Sequence, residues 1–382
     1  MVFVDVNTFY GPKAGGIRTY HQAKLDWFAK QSEHTYCLIY PGPAYRVEKP
    51  APCVYLIQVY GIALTDDIKG YRLMLDYFRV AKWIRRLRPD VVEAGDAWLT
   101  SWFLLLARAS GFWKGLLVSF YHSDPVPSYL VPWSRRGGFQ NVRRGIADLG
   151  SRLFYSAQRR FDWTATASRA MQESLRAQKV NRVQRLPFGV NPSFFTAPKS
   201  APFLPSASRP LRLLYAGRLD RDKGIELFLK VLPALLAEPG FLVTVAGRGA
   251  FAAHFASIHH EQFHYAGFFT NPESLTALYQ SHQLFLAPGP HETFGLAVLE
   301  AMAAGLVVVG PDAGGTGELL FELDSPFRFP AEDPEMFLEK IRAAAGADLP
   351  LWSERHREIA LHYGSWDDSI ARMVSTWKRL AQ

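Results

Sequence analysis

Cysteine is scarce: Cys37 and Cys53 are the only two in 382 residues. Both stand in apolar, strand-like runs, which excludes a disulfide-stapled scaffold and predicts buried thiols in a reducing compartment. Long hydrophobic runs are missing too. The apolar, charge-free stretch Ala97 to Ala107 falls well short of the ~18–20 residues a bilayer span needs. The opening Met1-Val2-Phe3-Val4-Asp5 has no basic start of the signal-peptide kind and reads directly as a core strand. A cytoplasmic protein is expected, soluble or peripheral on the inner face of the cell membrane. The histidines lack metal-ligand spacing and no Asp-x-Asp stands at an expected strand end, so neither metal nor cofactor is predicted. A dehydrogenase would need Gly-x-Gly-x-x-Gly after the first strand and an acid about 20 residues on, and neither is in register.

What is present is apolar and basic. With 48% hydrophobic and 14% aromatic residues, the chain can bury cores in about two domains of ~150–200 residues each. A net charge of +8 and a pI near 9.4 favour anionic partners such as nucleotides or phospholipid surfaces.

One stretch organises the rest. Gln283 to Ala287 is a short apolar run suited to a buried parallel strand, stopped by Pro288-Gly289-Pro290. Gly295 to Ala304 has helix composition, and Leu306 to Val309 reads as a second buried strand ending in Pro311-Asp312-Ala313-Gly314-Gly315. Between Thr293 and Pro311 the only charged side chain is Glu300. A carboxylate among apolar neighbours is costly unless hydrogen-bonded. Glu292 stands at the helix entrance, about 12 Å away at ~1.5 Å rise per residue. The N–H groups of a helix start, which attract anions, lie between the two acids. Carboxylates flanking such a helix end suit a ligand with a sugar at each end and phosphates between, the layout of a nucleotide sugar.

The run Glu292-Thr293-Phe294-Gly295-Leu296-Ala297-Val298-Leu299-Glu300 resembles the Glu-x7-Glu signature of retaining glycosyltransferases of family 4. Three further motifs stand in the matching order: Gly15-Gly16 after the first strand, Gly217-Arg218-Leu219 with Lys223-Gly224, and Gly247-Arg248-Gly249. The resemblance implies an α/β GT-B fold, two Rossmann-like domains whose parallel sheets face a central cleft. It divides the chain into an acceptor-binding domain (1–192), a Pro/Ser/Ala-rich linker (193–210), a nucleotide-sugar domain (211–362) and a C-terminal helix (363–382) packing back on the first domain. Hinges are expected near Ser193–Pro210 and Tyr363–Trp366.

The resemblance also implies the roles of the site residues. Gly15, Gly16, Gly247, Arg248 and the segment Thr293, Phe294, Gly295, Leu296 would line the donor. Glu300 would hold the ribose and Glu292 the transferred sugar. Arg218 and Lys223 would neutralise the departing diphosphate. His122, leaving the strand Leu116–Phe120, would touch the donor sugar and joins Arg218, Lys223 and Glu292 as catalytic. Glu93, Asp96 and Asp124 are acceptor candidates, Glu93 and Asp96 reading otherwise as solvated loop acids. Arg221 and Asp222 read as a solvent-facing turn. Departures from the family pattern are Gly289-Pro290-His291 without a nearby Ser, no His beside Glu93–Asp96, and Asn191 in place of an Asp. A metal-independent transfer follows, from a UDP- or GDP-hexose such as glucose or mannose to a hydroxyl of a lipid-linked or glycan acceptor, in polysaccharide or glycolipid assembly. No nucleic acid is expected. Aromatic residues in Pro125–Gly138 and the arginines behind them, Arg143, Arg144, Arg152, Arg159 and Arg160 among them, suit a membrane interface or an anionic acceptor, and read equally as a solvated basic helix face. The rival readings are a sugar-nucleotide epimerase of the same fold and a catalytically silent binding module on a membrane or nucleic acid.

Overall fold

The structure is a computed structural model that describes residues 1–11, 15–63, 72–96, 98–122, 126, 131–134, 140–196 and 210–382. Asp124 and most of the 193–210 linker lie outside the described residues. The chain divides into two compact units, Met1–Leu186 with Asp367–Gln382, and Pro187–Trp366.

In the first unit the strands are β1 (Val2–Val6), β2 (Thr35–Gly42), β3 (Arg46–Ala51), β4 (Val54–Ala63), β5 (Arg72–Met74), β6 (Val91–Ala94), β7 (Leu116–Phe120), β8 (Trp163–Thr166) and β9 (Val183–Arg185). The helices are α1 (Gly16–Ala29), α2 (Tyr77–Leu87), α3 (Leu99–Ala109), α4 (Val131–Ser134), α5 (Gln140–Gln158) and α6 (Arg169–Ala177). The sheet runs β3-β4-β2-β1-β6-β7-β8-β9, parallel except for β3 and β5, which pair antiparallel with β4. Strands such as Val91–Ala94, buried at every position, need helices on both faces. α2 and α3 share one face and are joined through the rings of Tyr77 and Phe103, 4.7 Å apart.

Three local readings change. The basic, apolar run Tyr71–Leu87, whose composition predicts a helix throughout, is helical only from Tyr77, where the Asp76 side chain accepts from the Arg79 N–H; Arg72–Met74 is instead an edge strand on β4. Arg46–Ala51, too polar to read as a strand, is the antiparallel edge. Cys53 lies in the turn before β4, while Cys37 is buried.

The second unit holds β10 (Leu211–Arg218), α7 (Ile225–Leu236), β11 (Phe241–Arg248), α8 (Ala252–Ala256), β12 (Phe263–Gly267), α9 (Pro272–Gln280), β13 (Leu284–Leu286), α10 (Leu296–Ala303), β14 (Val307–Pro311), α11 (Gly314–Glu322), β15 (Arg328–Phe329), α12 (Pro334–Ala345) and α13 (Leu349–Tyr363). Its parallel sheet has the order β12-β11-β10-β13-β14-β15. That is the doubly wound order, and it reverses direction between β10 and β13. The chain leaves the first unit past Leu186 and returns past Trp366, and the two passages are clasped inside the second unit: the Val190 N–H donates to the Gly364 carbonyl (3.0 Å) and the Trp366 N–H to the Val190 carbonyl (3.3 Å).

The last helix, α14 (Trp366–Leu380), belongs to the first unit from Asp367 onward. Ile370, Met373, Val374 and Trp377, at helical spacing, are buried. The Tyr20 hydroxyl lies 3.1 Å from the Met373 sulfur and Lys30 pairs with Asp367, so α14 packs against α1.

Candidate functional site

In open α/β sheets ligands sit where the strand order reverses, at the carboxyl ends of the strands. In the second unit that point lies between the loop after β10 and the loop after β13, and it gathers Arg218, Lys223, Glu292 and the start of α10.

Two glycines let the loops close on each other. Gly224 has φ +72°, and a Cβ there would stand 2.5 Å from the Pro288 backbone. Gly314, with φ +61°, faces the Glu292 carbonyl, 2.6 Å from where a Cβ would be. The Gly315 N–H donates to that same carbonyl at 2.6 Å. The loop Pro288–Gly295 is thus gripped between Gly224 and the start of α11, and its exposed polar groups are fixed in place. α10 opens at Gly295 with no side-chain cap, so its first N–H groups have no capping side chain. Beside them the buried Thr316 hydroxyl has no hydrogen-bond partner among the described residues.

The charges are arranged around this start. Lys223 Nζ lies 2.6 Å from Glu292 Oε1, both side chains about a quarter exposed. Arg218 pairs with Asp220 at 2.7 Å and with Asp222. Two expectations change here. Asp222 is held by Arg218 instead of facing solvent, and Asp220-Arg221-Asp222 is an Asp-x-Asp just past the end of β10. Both acids are bound to the arginine, and Asp220 also accepts from the Ala250 N–H at 3.0 Å, tying this loop to the turn after β11. Arg221 faces solvent and pairs with Glu226. In the ladder Arg218 stands opposite Arg248, whose guanidinium lies 3.9 Å from the centre of the Phe268 ring. Gly247 (φ +144°) and Gly249 (φ +156°) let that turn run against the backbone of Gly217 and Leu219.

Glu300 lies one helical turn and a half into α10. Burial pushes its carboxyl up to about 8, offset in part by a hydrogen bond from Tyr279 on α9. That tyrosine carries no sequence motif and was not foreseen; the need of a buried carboxyl for a donor was the available signal.

The first unit has its own reversal point, between β1 and β6. Gly15 and Gly16 are exposed at the start of α1, with open space around them. Glu93 and Asp96 are buried, and neither is a solvated loop acid. Glu93 accepts from the Tyr20 hydroxyl at 2.9 Å and from Lys24 at 3.2 Å; Lys24 also pairs with Asp5 at 2.6 Å. Burial and the Asp5 charge push the Glu93 carboxyl up. Asp5 is buried as well, yet the Lys24 and His21 contacts hold it below the usual range. Asp96 accepts from Thr8 and from the Trp98 N–H. Both acids are thus buried within side-chain and backbone hydrogen bonds of the first unit. His122 follows β7, stacked on Phe120 and edge-on to Tyr20, each 4.6 Å away. Burial, with His21 and Lys24 nearby, pushes its pKa well down, so the ring is neutral at physiological pH.

Comparison with known proteins places these features. A model described as "Glycosyltransferase Family 4" matches residues 14–194, and one described as "Glycosyl transferases group 1" matches 210–346. A GDP-mannose-dependent alpha-(1-6)-phosphatidylinositol dimannoside mannosyltransferase of Mycobacterium tuberculosis is 28% identical over 327 residues, 81% of this chain and 79% of the relative. A GDP-mannose-dependent alpha-mannosyltransferase of Mycolicibacterium smegmatis is 31% identical over 250 residues, 62% of this chain and 60% of the relative. Among solved structures, sucrose-phosphate synthase from Thermosynechococcus elongatus aligns with TM-score 0.76 at 16% identity, covering 99% of this chain and 98% of that one. An alpha,alpha-trehalose-phosphate synthase from Burkholderia xenovorans aligns with TM-score 0.69 at 16% identity, covering 99% and 100%.

Proposed function

This chain belongs to glycosyltransferase family 4 and has the GT-B fold, and from that premise we propose that it transfers mannose from GDP-mannose, with retention and without a metal, to a hydroxyl of a lipid-linked acceptor. The observation that carries the reading is the meeting of Lys223, Arg218 and Glu292 at the uncapped start of α10, where the strand order reverses.

A diphosphate at that helix start would meet N–H groups, an ammonium and a guanidinium. As the glycosidic bond breaks, negative charge grows on the leaving diphosphate. Fixed cations stabilise that charge more than they stabilise the bound donor, which is what lowers the barrier. Before the donor arrives, Glu292 and the Asp220–Asp222 pair hold the two cations in place. Glu292 can then keep Lys223 oriented while its second oxygen accepts from a sugar hydroxyl. Glu300 accepts from the ribose. The donor phosphate takes the acceptor proton during same-face attack. Mannose is favoured by the two mannosyltransferase relatives, and the lipid-linked acceptor by the Mycobacterium tuberculosis one, whose name pairs GDP-mannose with a phosphatidylinositol dimannoside.

The test is a thermal-shift panel of GDP-, UDP- and ADP-sugars with EDTA present, repeated on Lys223→Ala. Stabilisation by GDP-mannose alone, lost in the variant, supports the reading. Stabilisation by UDP-sugars instead overturns the donor. Proton NMR of the product then reads the anomeric configuration, and a free epimerised sugar nucleotide would mean an isomerase.

A further inference from the structure

The first unit carries a surface that the donor chemistry does not use. α5 is apolar on two sides. Ala147, Phe154 and Ala157 face the core, as amphipathic packing requires. Val142, Ile146, Leu149 and Leu153, spaced four, three and four residues apart, form a second stripe that is open to solvent, with Leu149 58% exposed. Soluble surfaces seldom leave such a stripe bare.

It continues onto the neighbouring helices. Trp98, at the start of α3, packs on Phe154 of α5 with ring centres 5.7 Å apart, and Tyr77 of α2 packs on Phe103 of α3. On this one helical layer α3 adds Leu99 and Leu106, the latter 67% exposed, and α2 adds Phe78, 80% exposed. Cations flank the apolar groups: Lys82, Arg85 and Arg86 on the outer side of α2, and Arg152 beside Leu149 and Leu153 on α5. Arg143 lies over the half-open Trp133 ring, 5.4 Å from its centre. Asp148 is the only acid on α5.

The charge pattern selects the occupant. A second copy related by a twofold axis would cover the leucines but set this row of cations against its own image. An anionic bilayer offers apolar depth and negative headgroups together, the combination that interfacial helices with basic flanks bind. We propose that the outer face of α2, α3 and α5 is a docking surface for a bilayer containing anionic phospholipid. This deepens the lipid-acceptor half of the function proposed above and rests on it only in that respect.

Flotation of the full chain with vesicles tests it, using phosphatidylcholine alone and phosphatidylcholine mixed with phosphatidylglycerol. The natural protein is expected to float with the mixed vesicles only and to detach as salt rises. Ile146→Ser with Leu149→Ser, and separately Lys82→Ser with Arg85→Ser, should each weaken partitioning by at least about tenfold. All four positions are exposed, so the melting temperature and the GDP-mannose thermal shift should stay unchanged. Those two readouts separate failure of this surface from failure of the donor site. No flotation, or variants that float like the natural protein, overturns the proposal. So does a dimer in solution that the Ile146→Ser, Leu149→Ser protein dissolves without loss of vesicle binding.

Discussion

Replacing Glu300 by glutamine should separate ligand binding from stability. The carboxyl titrates at about 8 in the folded protein against an ordinary 4.5. Between those values the folded state keeps a proton that the unfolded state has lost, so stability falls as pH rises through this window and levels off above 8. The gap of 3.5, at ~1.36 kcal/mol per pH unit, corresponds to on the order of 5 kcal/mol for a fully enclosed group. Glu300 keeps some solvent contact, which screens the charge and brings the working figure to roughly 2 kcal/mol. Glutamine retains the shape and the oxygen that accepts from Tyr279, and it cannot ionise. Glu300→Gln should therefore melt with the natural protein at pH 5 and about 4–8 °C above it at pH 8, at ~2–4 °C per kcal/mol for a unit of this size. Its donor affinity should fall by about tenfold or more, because a carboxylate accepts from ribose hydroxyls more strongly than an amide does. Calorimetric scans at the two pH values decide it. An equal melting difference at both would refute the argument that burial holds the proton on Glu300.

Further outcomes follow from the same geometry. Ribose binding to an ionised Glu300 must expel its proton, so donor affinity should rise with pH up to about 8; isothermal titration in two buffers of different ionisation enthalpy should record close to one proton released at pH 7, and none would count against the ribose role. Lys24→Met would strand Asp5 and Glu93 in the core and should cost about 3–5 kcal/mol in urea unfolding of the first unit, with the donor-induced thermal shift of the second unit retained. Gly314→Ala, strained at φ +61° and crowded by the Glu292 carbonyl, should lower the melting temperature by several degrees at a cost of ~1–3 kcal/mol and weaken donor binding, while Gly240→Ala, with open space around it, should do neither.

The central part of the site was legible because its chemistry is written locally. A proline-broken strand, a helix with one acid among apolar residues and a glycine pair occur within about thirty residues, and each has a physical meaning without its partners. What escaped depends on distant residues. Tyr279 completes Glu300 from another helix, and no spacing announces it. Asp222 reads as part of a solvent-facing turn until Arg218 is seen to pair with it and with Asp220. Glu93 reads as an acceptor contact or a solvated loop acid, yet Val91–Ala94 is buried throughout; an acid inside such a strand, like Asp5 in β1, calls for a buried cation, and Lys24 on α1 supplies it. Edge strands β3 and β5 were missed because polar residues on an edge strand follow no hydrophobic period.

The clasp at Val190 and Gly364–Trp366 determines how this protein can be divided. Because the polypeptide passes out of the first unit and back again through two neighbouring segments, no single cut yields that unit whole. A fragment ending at Leu186 would lack the helix that covers Tyr20, whose contact with Met373 spans 353 positions. In a chimaera with a relative, residues 367–382 must travel with the first 186. During synthesis the second unit has all its residues while the first still awaits its closing helix, so the earlier-made half is the later to mature.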